Sequence, residues 1–242
     1  MHEPPTVLAG GEPVALLAQR AVWWPAARTL IAADLHLGKE QAFGAFGIAV
    51  PGGVLDETLS RLANTAGRWG AERIIVVGDL LHARLGTTAS VIDRVAAWRA
   101  QLAAEFWLVP GNHDRAHALV GDAWRLRLCP AELCEGPFRF VHAPDEGRAG
   151  CFTWAGHLHP AARLSAGGDS IRLPCFHLRE RVGILPAFSL FTGGRCTELA
   201  PGDAAWAIAG DRVLCATSAP AGRGPGQAAG RQPGMRRRSG LR

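Results

Sequence analysis

Five short stretches of the chain hold residue types that bind divalent cations. They are Asp34-x-His36, Gly78-Asp79-x-x-His82, Gly111-Asn112-His113-Asp114, the single His142, and Gly156-His157-x-His159. Carboxylate, imidazole and amide oxygen form a mixed nitrogen and oxygen donor set without thiolate. Such a set suits manganese or iron better than a cysteine-rich zinc site. Two cations about 3.5–4 Å apart need a shared ligand, and a carboxylate with two oxygens provides one. Asp79, which follows a buried apolar run and a permissive glycine, stands where that ligand is needed. In Asp34-x-His36 and His157-x-His159, extended i, i+2 spacing puts both side chains on one face. In a loop the same spacing reaches two neighbouring metals. Each stretch alone is weak evidence, since Gly-Asn-His-Asp also suits a turn. Their weight lies in occurring together, most of them where an apolar run ends.

Those apolar runs are the elements that must position them. RTLIAA (28–33), RIIVV (73–77) and EFWLV (105–109) read as buried strands. Between them, 54–68 carries Val54, Leu55, Leu59 and Leu62 at helical spacing. Residues 88–103 read as a second helix, with Thr88 or Ser90 as its cap. Strand, loop and helix in alternation imply parallel strands with helices packed on them. Loops at the carboxyl ends of such strands converge on one crevice. After about residue 125 short apolar runs broken by Gly and Pro take over: FRFVHA, CFTWAGH, SIRLPCFHL, VGILPAFSLF, AAWAIAG and RVLCA. They read as mostly antiparallel strands of a second sheet. The expected fold class is therefore α/β, a four-layer α/β/β/α sandwich of two mixed sheets flanked by helices.

Composition bounds the rest. The length of 242 residues suits one domain with a well-buried core. No uninterrupted apolar run approaches the roughly 18 residues of a membrane span. The start, MHEPPTVLAGGEP, lacks a basic segment followed by an apolar one, so the cytoplasm is the expected location. Six cysteines without a C-x-x-C pair read as reduced thiols. The net charge of +5 is misleading. Residues 217–242 hold six arginines and no acid, while the remaining 216 residues hold 20 basic and 21 acidic side chains. The basicity belongs to an Arg-, Gly- and Pro-rich stretch expected to be a disordered tail, and residues 1–216 are expected to form the catalytic domain. Whole-chain charge thus says little about nucleic acid.

In their order and local setting, the five stretches resemble the calcineurin-like metallophosphoesterase superfamily. A narrower resemblance spans about residues 10–215. ADLHLGKE (33–40), VPGG (50–53), GDLLH (78–82), GHLHPAARL (156–164), LPCF (173–176) and LPAFSLFTGG (185–194) are similar to the ligase-associated DNA damage response endonuclease family. The resemblance implies two divalent metals, with manganese favoured and iron or zinc as alternatives. Asp34, His36, Asp79 and His159 would hold the first, and Asp79, Asn112, His142 and His157 the second. His113 would face the scissile phosphate, and Asp114 would orient its ring through a hydrogen bond. Single-stranded DNA is the implied substrate. Association with an ATP-dependent DNA ligase and a helicase, in DNA repair, is the implied setting.

The chemistry fits that assignment. Two metals acidify a water and neutralise the phosphate oxygens as charge builds. The leaving alkoxide of a diester needs a proton, and the ordinary pKa of histidine lets His113 give one. His82, three residues after Asp79, is either a phosphate contact opposite His113 or a supporting side chain. Lys39 is either a phosphate contact or a solvated lysine at a helix start. Arg84 and Arg115 are candidates to follow a nucleic-acid backbone. Trp23, Trp24, Trp98, Trp107, Trp124, Trp154 and Trp206 read mostly as core, and Trp154, just before the Gly-His-x-His stretch, is the best placed of them for base stacking. His2, His117 and His177 read as surface or core residues. Two rival readings remain. One is a small-molecule phosphodiesterase or phosphomonoesterase on the same site. The other is a scaffold that kept the fold and lost the metals, against which the complete ligand set argues. A long open groove with arginines would favour DNA, and a closed pocket a small molecule.

Overall fold

The structure is a computed structural model that describes residues 2–166 and 168–216. The first sheet runs β1 (Thr6–Ala9), β2 (Glu12–Leu17), β3 (Ala21–Trp24), β4 (Thr29–Ala32), β5 (Arg73–Val77), β6 (Glu105–Val109), β7 (Leu126–Leu128), in spatial as in chain order. β1 to β4 form an antiparallel meander, and β4 to β7 run parallel. The meander was not legible in the apolar pattern, because its strands are short and Pro13 interrupts one. Its signal was the Gly10-Gly11 pair between β1 and β2. Both residues adopt positive φ, 58° and 86°, as a two-residue hairpin turn requires.

The helices are α1 (Lys39–Ala45), α2 (Val54–Trp69) and α3 (Ala89–Gln101). α2 presents Leu55, Leu59, Leu62 and Ala66 to the sheet at i, i+4, i+7 and i+11. It stops at Gly70, whose left-handed conformation (φ 62°) turns its N–H back onto the last carbonyls. α3 starts at Thr88, whose hydroxyl accepts from the Val91 N–H at 3.3 Å.

The second sheet holds β8 (Glu132–Glu135), β9 (Phe138–Val141), β10 (Phe152–Ala155), β11 (Pro160–Ala166), β12 (Asp169–Leu178), β13 (Val182–Ile184), β14 (Arg195–Cys196), β15 (Ala204–Ala209) and β16 (Arg212–Cys215). Antiparallel pairings prevail, as the sequence suggests. The centre departs from that pattern, since β9, β10 and β13 are parallel. The ten-residue connection from Val141 to Phe152 returns the chain to the start of the sheet without a helix. This matters for the site, because β9 and β10 then end at the same edge.

Strand residues alternate between two cores. Ile74 and Val76 of β5 face the layer built by α2 and α3, and Ile75 and Val77 face the second sheet. Both faces are buried, so the strand reads as an unbroken apolar run. Between the sheets Trp24, Phe138, Phe140, Phe152 and Trp154 pack edge to face, with centroids 4.7 to 6.2 Å apart. The architecture is the expected α/β sandwich of two mixed sheets flanked by helices. The helical layer is uneven. Among the described residues no helix follows Leu119, and the outer face of the second sheet carries a smaller cluster of Ala162, Cys175, Ala205 and Ala207. Among the described residues no helix is long and apolar enough to cross a membrane. The stretch 217–242 lies outside the described residues.

Candidate metal centre

Five strands deliver the five stretches to one edge. β4, β5 and β6 are in parallel register, so the loops after Ala32, Val77 and Val109 emerge side by side. β9 and β10 bring His142 and Gly156 there from the second sheet. Backbone hydrogen bonds join the loops. Asp34 N–H donates to Gly78 O (3.1 Å), His36 N–H to Asp79 O (2.9 Å), and Gly156 N–H to His142 O (3.0 Å).

Eight non-glycine residues of the described chain have positive φ, and five of them lie here: Asp34, His36, Asp79, His157 and His159 (φ 46° to 69°). Left-handed backbone is disfavoured for side chains with a Cβ and persists where the surroundings impose it. It turns each donor inward from a strand end. Glycines make the room. A Cβ on Gly78 would lie 1.8 Å from His142 Nδ1, and one on Gly111 2.4 Å from Asp79 Oδ1.

Asp34, His36 and His159 each offer a ligand-type atom, all within 4.8 Å of one another, and Asp79, His142 and His157 do the same. The groups touch, since His142 Nδ1 lies 3.8 Å from Asp34 Oδ1. Asn112 Oδ1 lies 2.9 Å from His142 Nε2 and thereby joins the second group. All seven residues proposed from sequence as ligands are therefore together. Asp34 is wholly buried. Its Oδ2 accepts from the His157 N–H at 3.0 Å, while its Oδ1 has no hydrogen-bond partner; nor do the buried Nδ1 atoms of His36 and His142. Unpaired buried polar atoms are costly. Here two of them, Asp34 Oδ1 and His142 Nδ1, face each other across 3.8 Å, and the donor chemistry fits divalent cations.

Electrostatics favour the same use. Burial pushes the Asp34 carboxyl up from its ordinary value. Burial lowers His36, which leaves it a neutral imidazole with a free lone pair. Burial would also raise Asp79, but the bond and charge of His142 and the His113 N–H outweigh it and hold this carboxyl low. His36 and Asp79 thus stand in the neutral and ionised forms that bind cations.

The outer residues are arranged differently from the expectation in one respect. Asp114 does not orient His113. Its Oδ1 accepts from the Leu81 N–H and its Oδ2 from the Gly111 N–H, both at 2.8 Å, and the side chain is buried. Its place at the start of a short helical turn aims it at backbone amides instead, so it ties the 111–114 loop to the 78–82 loop. The His113 ring is held by the carbonyl of His82, 2.6 Å from Nδ1. The two imidazoles lie nearly parallel, 9° apart with centroids at 5.7 Å, and His113 is exposed. A backbone carbonyl leaves no trace in the residue pattern, which is why the sequence missed it.

Trp154 belongs to the core, as the sequence reading has it for the tryptophans, and the stacking alternative falls away. It is fully buried between the sheets and offers no face to a base. Lys39 opens α1, donates to Thr192 Oγ1 at 3.1 Å, and lies 5.8 and 5.7 Å from the ring centres of Phe43 and Phe191. Arg84 and Arg115 are exposed and line a groove with His82, Asn112, His113 and Leu119. A second groove, beyond His159, is lined by Arg20, Arg172, Thr192 and Gly194. Neither Arg20 nor Arg172 was a sequence candidate. Arg20 donates to the carbonyls of Ala187 (3.2 Å) and Ser189 (2.8 Å). Arg61 donates to Phe188 O and stacks over the Phe188 ring. These contacts clamp the segment whose Phe188 and Ser189 amides bond Ala33 O and Asp34 O. The LPAFSLFTGG stretch, part of the family resemblance, was the signal for this support.

No protein-family model matches the chain, and no curated protein matches it. Among solved structures, the nuclease MPE of Pseudomonas putida is similar at 30% identity with a TM-score of 0.74, over 88% of this chain and 100% of that one. The phosphoesterase YfcE of E. coli is similar at 12% identity with a TM-score of 0.41, over 77% of this chain and 96% of that one, a likeness too low to carry an argument. Taken with the site, the first of these makes the chain a metal-dependent phosphoesterase that belongs to the metallophosphoesterases of the ligase-associated endonuclease type.

Proposed function

We propose that this protein is a single-strand DNA endonuclease of DNA repair that works with two divalent metal ions, manganese being the favoured one. The observation that carries the reading is the pair of touching donor groups beneath an exposed histidine, with an open, arginine-bearing groove on either side. A polymeric phosphodiester needs such a through-path, whereas a small ester needs only a pocket. The 30% identical neighbour is itself a nuclease.

Asp34, His36, Asp79 and His159 would hold one ion, and Asp79, Asn112, His142 and His157 the other, with Asp79 shared. When bound, two such ions supply charge neutralisation at the phosphate and an acidified water for in-line attack. The chain's own groups do the rest. With Nδ1–H donated to the His82 carbonyl, protonated His113 presents Nε2–H outward. It gives that proton to the leaving deoxyribose oxygen. His82, stacked behind it, contacts the phosphate. Asp114 holds the two loops in register. Arg84 and Arg115 on one side, and Arg172 on the other, follow the backbone of the strand. The DNA ligase and helicase association implied by the family is part of this proposal.

The test is cleavage of a labelled single strand and of its duplex with excess manganese. Efficient metal-dependent internal cleavage of the single strand supports the reading. Hydrolysis of an aryl phosphodiester with no cut in either DNA overturns it in favour of a small-molecule phosphoesterase.

A further inference from the structure

A file of rings leads out of the metal centre. His113 stacks on His82 at 5.7 Å, His82 meets the edge of Phe43 at 5.5 Å, and Phe43 meets Phe191 at 6.0 Å. Phe43 and Phe191 are half-buried, the Phe46 and Ile48 amides both bond the Phe43 carbonyl, and Leu190 adjoins Phe191 in the chain. Phe46 is 71% exposed, Ile48 52% and Leu190 50%. Three large apolar side chains open to water in the two segments that carry Phe43 and Phe191 are unusual for a surface that serves only solubility. The single lysine of the chain stands among them, with its ammonium held near both phenylalanine rings and Thr192.

From this juxtaposition we infer that the lip formed by Phe43, Phe46 and Phe191 is a stacking platform for unpaired nucleobases of the strand whose phosphate lies in the metal centre, with Lys39 meeting the adjoining phosphate. The inference rests on the nuclease reading and names the source of its strand preference. A base has a π-face that stacks on any aromatic ring regardless of sequence. In a duplex that face is already covered by its neighbours, so only a single strand can use the platform. The cation beside the rings fits the repeat of a nucleic acid, which alternates flat apolar bases with anionic phosphates. It does not fit a purely apolar partner. The ring file also ends at His113, so a base seated on Phe191 or Phe46 sets the register of the phosphate that His113 faces.

Binding of a fluorescein-labelled oligothymidylate, followed by anisotropy with chelator present so that no strand is cut, tests the platform. Phe46→Ala and Phe191→Ala should each weaken binding by on the order of tenfold, the usual worth of one stacked base. Phe191→Tyr should bind like the parent and Phe191→Leu like the alanine variant, with thermal melts to establish that each is folded. The ratio of kcat/KM on single-stranded DNA to that on an aryl phosphodiester should fall by the same factor as binding. Normal binding by both alanine variants, or Phe191→Leu binding as tightly as the parent, would overturn the platform while leaving the nuclease reading intact. A parent protein that hydrolyses the aryl ester but neither binds nor cuts any single strand would overturn the nuclease reading and the platform together.

Discussion

The floor and the rim of the site are constructed in different ways. On the floor, Asp34, His36, Asp79 and His142 are buried and come from both sheets, and three of the four sit in left-handed backbone. Their positions are set by loop hydrogen bonds and by glycines that leave no room for a methyl group. On the rim, His82, His113, Phe43 and Phe191 are half-buried or exposed and are held by contacts between rings and by one bond of His113 to the His82 carbonyl. A floor of this kind should fail as a whole, because any ligand lost leaves the others buried and unpaired. A rim of this kind should fail one function at a time.

The largest expected effect is on the floor. Asp79→Ala should abolish hydrolysis of DNA and of an aryl phosphodiester alike, a loss beyond the roughly 100-fold seen when only the support of a ligand is disturbed. Normal turnover of the aryl ester by this variant would sink the shared-ligand assignment. On the rim, His113→Ala should lower DNA cleavage by about 10²–10⁴, the worth of a positioned general acid, and spare much of the aryl activity, since a nitrophenolate leaves without a proton. Equal losses on both substrates would mean that His113 acts through the metals or the fold.

Gly78→Ala tests the backbone share of the floor. The new methyl would meet the His142 ring, so manganese affinity by calorimetry should fall by about 10- to 100-fold with the fold retained by circular dichroism. Unchanged affinity would show that His142 does not depend on that glycine.

Asp114→Asn separates the two regions most sharply. Its carboxylate accepts two backbone N–H bonds and none from His113, and an amide can accept only one of them. Denaturant melts should show a loss of about 1–3 kcal/mol, with DNA and aryl activities reduced together. Selective loss of DNA cleavage, as in His113→Ala, would restore the role of ring orientation.

The smallest effect lies outside both regions. Arg139 of β9 holds Asp145 by two bonds, 3.0 and 2.8 Å, and these bonds keep the Asp145 carboxyl below its ordinary value. A depressed folded pKa stabilises above the unfolded pKa, and the stabilisation disappears as pH falls through the folded one. The carboxylate is half exposed, so solvent screening limits it to about 0.5–1 kcal/mol. Asp145→Asn should cost that much at neutral pH and nothing in strong acid, with catalysis untouched. A larger cost that persists in acid would point to packing instead of charge.

Several features of this protein are set by its residues alone. RIIVV and EFWLV became strands with the bounds read from sequence, because a strand buried on both faces is an unbroken apolar run. α2 and α3 followed from helical spacing and a Thr cap. The seven ligand-type residues were recognisable because their side-chain chemistry is carried by residue identity and by placement at strand ends. Other features depend on contacts between distant parts of the chain. The parallel centre of the second sheet, the carbonyl of His82 behind His113, the carboxylate of Asp114 on two amides, and the clamp of Arg20 and Arg61 on the loop beneath Asp34 are of this kind. Backbone groups are the same at every position, and an arginine has no preferred partner until the fold brings one within reach. Trp154 makes the same point in reverse. It lies three residues before His157, but strand alternation turns its ring into the space between the sheets, away from any substrate.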